Sequence, residues 1–161
     1  MQLRMVLAMT LAAGAVLPLS AALAAGDMSS QEPITVRVDL GKDGVDKHRF
    51  HPDKLIFETG KLYKLVIHNP SNNKHYFTSL GMAEKIYTRK LQTMDELGPD
   101  AKTISEVKGA IREIEVYPGG TAEWWFVPVA TGTIDDLHCH IKDKDGKTHA
   151  EKGMKGTIVI N

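Results

Sequence analysis

Short stretches in which apolar and polar residues alternate, separated by turn residues, recur along residues 34–160. In the first of them, Ile34–Leu40, an apolar side chain occupies every second position, which is the period of a strand with one buried face. Pro118-Gly119-Gly120 separates two later stretches and is a strong turn signal. Strands this short, with turns at this spacing, predict an all-β sandwich or barrel.

The same alternation predicts seven further strands. They cover residues 54–58, 62–68, 76–79, 112–117, 121–126, 134–140 and 156–160. Residues 82–95 break the pattern with a composition that suits a helix, and residues 104–111 suit a short second helix. We therefore expect residues 81–110 to form a helical insertion between two strands rather than a separate domain.

The N-terminal 25 residues have the composition of a secretory signal peptide. Arg4 precedes an apolar run that ends in the small residues Ala22-Leu23-Ala24, a pattern typical of a cleavage site. An uncleaved membrane anchor is the alternative, because the apolar run extends to Ala25. We expect cleavage, a periplasmic location and no stable membrane insertion afterwards, which leaves residues 26–161 as a single domain.

The charge balance and the cysteine content indicate which kinds of ligand the chain can bind. The 161 residues carry 20 Lys+Arg and 20 Asp+Glu, a balance that gives no support for nucleic-acid binding. Cys139 is the one cysteine of the chain, so an internal disulfide is impossible. A free thiol is a liability in an oxidising compartment, which indicates that something occupies this one.

Cys139 lies close in sequence to other residue types that bind copper. His149 and Met154 follow it, so a thiolate, an imidazole and a thioether are gathered in one segment. These groups lack only a second histidine to make the ligand set of a type 1 copper site. His75, in the segment Asn72-Asn73-Lys74-His75-Tyr76-Phe77, is the best candidate for that histidine.

Two parts of the chain resemble a known family. The segment Gly153-Met154-x-Gly156-x-x-Val159 resembles the end of plastocyanin-type domains, where a histidine ligand lies five residues before the methionine, as His149 does here. Upstream, Phe50-x-Pro52 and the stretch from Gly60 to Asn69 resemble the early strands of the same family, the cupredoxins. The resemblance covers residues 33–161 and is greatest to the periplasmic copper-tolerance cupredoxins.

The resemblance implies a Greek-key β-sandwich with one type 1 copper per chain. The implied ligands are His75, Cys139, His149 and Met154. It further implies electron transfer or copper tolerance rather than enzymatic activity, with a cytochrome or a copper protein as redox partner. The exposed edge of His149 would be the port for electrons, and the charged residues 142–147 predict a salt-dependent encounter with the partner.

His138 and His140 flank the cysteine and leave other functions open. In a strand, both would point to the face opposite Cys139, where they could hold a second copper in an oligomeric enzyme of the nitrite reductase or multicopper oxidase kind. The alternative is that both side chains are solvated, or that they contact the copper ligands without binding the metal themselves. A copper buffer, which binds the metal without redox cycling, is the remaining hypothesis.

Overall fold

Eleven strands and one short helix make up the described part of the chain. The computed structural model describes residues 30–42, 44 and 46–161. In chain order the elements are β1 (Ile34–Leu40), β2 (Phe50–His51), β3 (Lys54–Phe57), β4 (Tyr63–His68), β5 (His75–Thr78), α1 (Leu80–Lys85), β6 (Ile86–Met94), β7 (Thr103–Val107), β8 (Glu113–Val116), β9 (Thr121–Pro128), β10 (Gly132–His138) and β11 (Lys155–Ile160). The predicted signal peptide lies outside the described residues and stays a prediction. A helix capable of spanning a lipid bilayer is absent from the described ranges.

The strands form two sheets that pack face to face. The first has the order β2-β1-β4-β9-β6-β7, and the second has the order β3-β11-β10-β5-β8. β1 runs parallel to β4 and β11 runs parallel to β3, whereas the other paired strands are antiparallel. Each of the eight predicted strands is present, within two residues of its predicted bounds. The all-β prediction is therefore confirmed, and the form is a two-layer sandwich.

Aromatic side chains fill the space between the two sheets. The ring of Phe57 in β3 lies 5.1 Å from that of Phe126 in β9, and Phe77 in β5 lies 6.4 Å from Trp124 in β9, both edge to face. These separations are within the range of favourable aromatic pairs. The indole N–H of Trp124 donates to the Thr88 hydroxyl at 3.1 Å, so this large side chain is buried without losing its hydrogen bond.

The predicted helical insertion is present only as one short helix. α1 spans Leu80–Lys85, and it begins where the Ser79 hydroxyl accepts a hydrogen bond from the Met82 N–H at 3.1 Å. Nearly all the rest of the predicted first helix is strand β6, and the first half of the predicted second helix lies in strand β7. These two strands pair with each other as an antiparallel hairpin at the edge of the first sheet.

Pairing with a distant strand explains why residues 86–94 are extended. β6 pairs with β9 from Ile86 opposite Pro128 to Met94 opposite Thr121, and Leu91 is buried opposite Trp124. Helix propensities differ by only about 0.7 kcal/mol per residue among ordinary residues. A continuous ladder of backbone hydrogen bonds together with a buried side chain outweighs such a preference.

Candidate metal centre

The four predicted ligands lie together where β5 begins and β10 ends. His75 is the first residue of β5, Cys139 follows β10 directly, and His149 and Met154 lie in the loop between β10 and β11. β10 pairs with β5, which holds the two parts of the chain side by side. His75, Cys139 and Met154 have 0% of their surface exposed and His149 has 1%. The site is therefore inside the protein.

Three donor atoms form a small triangle. The two Nδ1 atoms of His75 and His149 are 3.1 Å apart, and Cys139 Sγ lies 3.9 Å from the first and 3.4 Å from the second. A point equidistant from three atoms with these separations is about 2.0 Å from each, which is the length of a metal–imidazole bond. One metal ion therefore fits this triangle of donors.

Ser71 sets which nitrogen of His75 carries the proton. Its hydroxyl donates to the side-chain carbonyl of Asn69 at 2.8 Å, and the same oxygen lies 2.9 Å from His75 Nε2. Because the hydroxyl proton is committed to a carbonyl, the oxygen accepts from the imidazole, and Nε2 is the N–H. The lone pair of His75 Nδ1 therefore faces Cys139 and His149.

Asn69 anchors this arrangement to the sheets. Its side-chain amide donates to the backbone carbonyls of Asn73 at 2.7 Å and Val116 at 2.8 Å, and its side-chain carbonyl accepts from the Ser71 N–H at 3.0 Å. Asn69 is fully buried, and both polar atoms of its side chain are hydrogen-bonded. Such a satisfied network is rigid, so the orientation of His75 is fixed before any metal binds.

Asp143 sets which nitrogen of His149 carries the proton, as Ser71 does for His75. Its Oδ1 lies 3.2 Å from His149 Nε2. Its hydrogen bond with Lys152, and after it the one with His149, lower the pKa of the Asp143 carboxyl to about 2, so the group is ionised at neutral pH. A carboxylate only accepts hydrogen bonds, so His149 Nε2 is the N–H and its Nδ1 lone pair is directed at the triangle.

Burial favours the uncharged forms of His75 and Cys139 in the metal-free protein. Burial, followed by the nearby His149 and His48, lowers the pKa of His75 to about 4. Burial also raises the pKa of the Cys139 thiol, although the Tyr76 N–H donates to the sulfur at 3.3 Å. A bound cation reverses this preference because it stabilises the thiolate. Two imidazoles and a thiol converging on one buried point fit a type 1 copper.

Met154 is held next to the triangle by the backbone of two of its members. The Met154 N–H donates to the carbonyl of His149 at 2.9 Å, and the Met154 carbonyl accepts from the Cys139 N–H at 3.2 Å. Met154 is fully buried, as the thioether of a weak fourth ligand has to be. The cluster of His75, Cys139, His149 and Met154 therefore has the composition of a type 1 site.

Comparison with solved structures decides the fold. A multicopper oxidase from Campylobacter jejuni matches 81% of this chain with a TM-score of 0.54 at 17% identity, and the match spans 31% of the oxidase. The chain has the cupredoxin fold. No protein-family model matches the sequence, and no curated protein sequence matches it either.

Two auracyanins, one of them described as a blue copper protein, are also among the similar structures. Auracyanin A from Chloroflexus aurantiacus matches with a TM-score of 0.45 at 15% identity, over 81% of this chain and 100% of its own. An auracyanin from Roseiflexus castenholzii matches with a TM-score of 0.44 at 16% identity, over 79% of this chain and 96% of its own.

The prediction that His149 has an exposed edge is wrong, because only 1% of the residue is exposed. The ring is covered by residues of its own loop, with Asp143 at Nε2, and by His48, whose ring centroid lies 4.5 Å away. The long interval between Cys139 and His149 is the reason. It folds back on itself through an isolated bridge between Lys142 and Thr148, and so places the Asp143 carboxylate over the imidazole.

His138 and His140 lie outside the triangle. His138 Nδ1 is 2.7 Å from the backbone carbonyl of Asp136, and the His140 ring stacks on Tyr76 with the centroids 4.3 Å apart. Two groups of three potential metal ligands occur within the described ranges, His75–Cys139–His149 and His48–Asp143–His149, and neither includes these two histidines. The second copper therefore remains an untested hypothesis.

Sequence reasoning missed three residues that support the site. Ser71 and Asp143 fix the two imidazoles, and His48 covers one of them. Asp143 lies in a loop where lysine and aspartate alternate, so nothing in the sequence distinguishes it from Asp145. The one available signal is the length of that loop, since nine residues separate Cys139 from His149.

Proposed function

We propose that this chain is a periplasmic type 1 copper protein that carries single electrons or contributes to copper tolerance, and that it is not itself an enzyme. The convergence of Cys139 Sγ with the Nδ1 atoms of His75 and His149 on one buried point carries the proposal. These three residues would hold the copper, with Met154 as a weak fourth ligand. Copper in such a set supplies reversible one-electron chemistry.

The chain contributes donors whose positions do not depend on the oxidation state of the metal. Ser71 and Asp143 hold the Nε2 protons of the two imidazoles, so neither ring is free to turn. The Tyr76 N–H donates to Cys139 Sγ and stabilises negative charge on the sulfur. Because the donors stay in place, little rearrangement accompanies the gain or loss of an electron.

Location and partner follow from other parts of the chain. The predicted signal peptide at residues 1–25 supports a periplasmic location. The partner would be a one-electron redox protein, a cytochrome or a copper protein. Alternating charges at residues 142–147 favour an encounter whose rate depends on ionic strength.

A visible spectrum of the mature protein with added cupric ion tests the proposal. We expect an intense thiolate-to-copper charge-transfer band, which Cys139→Ser removes. The double variant His138→Ala/His140→Ala is the matched control and should keep both the band and one copper per chain. Absence of the band in the wild type would contradict the proposal, and loss of a second copper in the double variant would favour the enzyme hypothesis.

Voltammetry separates an electron carrier from a copper buffer. A carrier gives a reversible one-electron wave at a stable potential, because its ligands serve both oxidation states. A protein that binds copper tightly in one oxidation state and gives no reversible wave would be a buffer.

A further inference from the structure

Asp143 is the centre of a cluster of charged and ring side chains above His149. Its Oδ1 lies 3.2 Å from His149 Nε2, and its Oδ2 lies 2.5 Å from Lys152 Nζ and 3.1 Å from His48 Nε2. Lys152 also pairs with Asp145 at 2.9 Å. The carboxylate thus touches a predicted ligand with one oxygen and accepts a hydrogen bond from Lys152 through the other.

We propose that Asp143 is a positioning residue of the metal centre, which holds the His149 ring with Nε2 protonated and Nδ1 directed at Cys139. This inference deepens the proposed copper function, and its redox consequences rest on that function. Without an acceptor at Nε2, the imidazole is free to take the other tautomer or to turn about its Cβ–Cγ bond. Either change removes the Nδ1 lone pair from the triangle of donors.

The same atoms could instead form a second metal site, since His48, Asp143 and His149 are close enough together to bind one ion. Lys152 argues against this. Its ammonium group is 2.5 Å from Asp143 Oδ2, where it already neutralises the carboxylate and would repel a cation. The Nδ1 of His149 is also directed away from this cluster, toward Cys139. A hydrogen bond from His149 Nε2 to Asp143 that only positions the ring, called the clamp below, explains both observations.

The clamp also predicts a redox effect. A carboxylate behind a ligand imidazole makes the ring a better electron donor, which favours the more highly charged metal state. We expect Asp143→Asn to weaken cupric binding relative to cuprous binding by about tenfold, which raises the potential of a one-electron couple by about 59 mV.

The chain provides matched variants for the test. The Asp143 and Lys152 side chains are partly exposed, so Asp143→Asn changes a surface group and leaves the core intact. Asp145→Asn is the control, because it loses a contact with Lys152 without touching His149. Asp143→Glu restores the carboxylate and should return part of the wild-type behaviour. The readouts are the tautomer of His149 in the metal-free protein, from its ring ¹⁵N shifts, and the reduction potential of the copper form.

The expected result is a single tautomer, with Nε2 protonated, in the wild type and in Asp145→Asn, and a mixture in Asp143→Asn with a raised potential. A single unchanged tautomer in Asp143→Asn would overturn the inference. Two metal ions per chain in the wild type and one in Asp143→Asn would replace the clamp by a second site. If the wild type bound no copper, the proposed function would fail, while the tautomer in the metal-free protein would still decide the role of Asp143.

Discussion

The Nδ1 atoms of His75 and His149 lie 3.1 Å apart in the protein interior, and Cys139 Sγ lies 3.9 Å from the first and 3.4 Å from the second. Ser71 and Asp143 keep the protons on the two Nε2 atoms. Burial denies these three donor atoms water. One bound cation would contact all three of them at once.

Copper should therefore stabilise the fold strongly. At a free concentration of about 1,000 times its Kd, a ligand that binds only the native state adds about 4 kcal/mol to the unfolding free energy. For a domain of this size that corresponds to a rise of about 10 °C in Tm. Calorimetry with and without cuprous ion measures it, and Cys139→Ser should show a much smaller rise. An equal rise in that variant would mean that the metal binds elsewhere.

Ser71→Ala should destabilise the metal-free protein. The substitution leaves His75 Nε2 buried without an acceptor, which costs about 1–3 kcal/mol. Urea unfolding measures the loss. Ser105→Ala, which removes an exposed hydroxyl that contacts Thr93 on the β6–β7 hairpin, is the control and should change stability by less than about 0.5 kcal/mol. Similar losses in both variants would show that the buried hydrogen bond to His75 contributes no more stability than the exposed one to Thr93.

Acid should weaken the metal-free protein between about pH 6.5 and pH 4. Burial lowers the pKa of His75 to about 4 from the 6.5 of an unfolded chain, so the unfolded state takes up a proton that the native state excludes. The free energy of unfolding therefore has its full value above pH 6.5 and decreases as the pH falls toward 4. The total decrease from this group is about 3 kcal/mol. Unfolding free energies at a series of pH values measure the slope. His75→Gln should flatten it, and an unchanged slope would assign the effect to other groups.

Leu91→Ala tests whether residues 86–94 form a strand packed on the core, rather than the predicted helix. Leu91 is buried opposite Trp124 in the β6–β9 pair, so its truncation should cost about 2–5 kcal/mol. Val107→Ala is the control on the partner strand β7, where the side chain is 48% exposed, and should cost less than about 0.5 kcal/mol. Equal effects in chemical denaturation would contradict this packing.

The strands were predictable because their signal is local. Alternation along Ile34–Leu40 reports directly which side chains face the core. β6 has no such clear pattern, since its conformation is imposed by β9, which follows more than twenty residues later. Composition alone therefore favoured a helix over residues 82–95, and only residues 82–85 of that range belong to α1.

The residues that meet at the site were predictable from their chemistry, whereas the groups that orient them were not. Cys139, His149 and Met154 are uncommon donor types at a recognisable spacing, and the structure brings them together with His75. Ser71 and Asp143 are common surface residue types. Their role depends on which atom faces which ring, and that is decided by loop conformation rather than by residue identity.

The placement of β11 has a consequence for refolding experiments. This strand lies between β3 and β10, and the loop that precedes it carries His149 and Met154, while His75 comes from the distant β5. A chain whose last strand has not docked lacks the complete donor set, however much secondary structure it has. The intensity of a copper–thiolate colour would therefore count only molecules with a fully closed sandwich, and it would give a yield of native protein that circular dichroism does not.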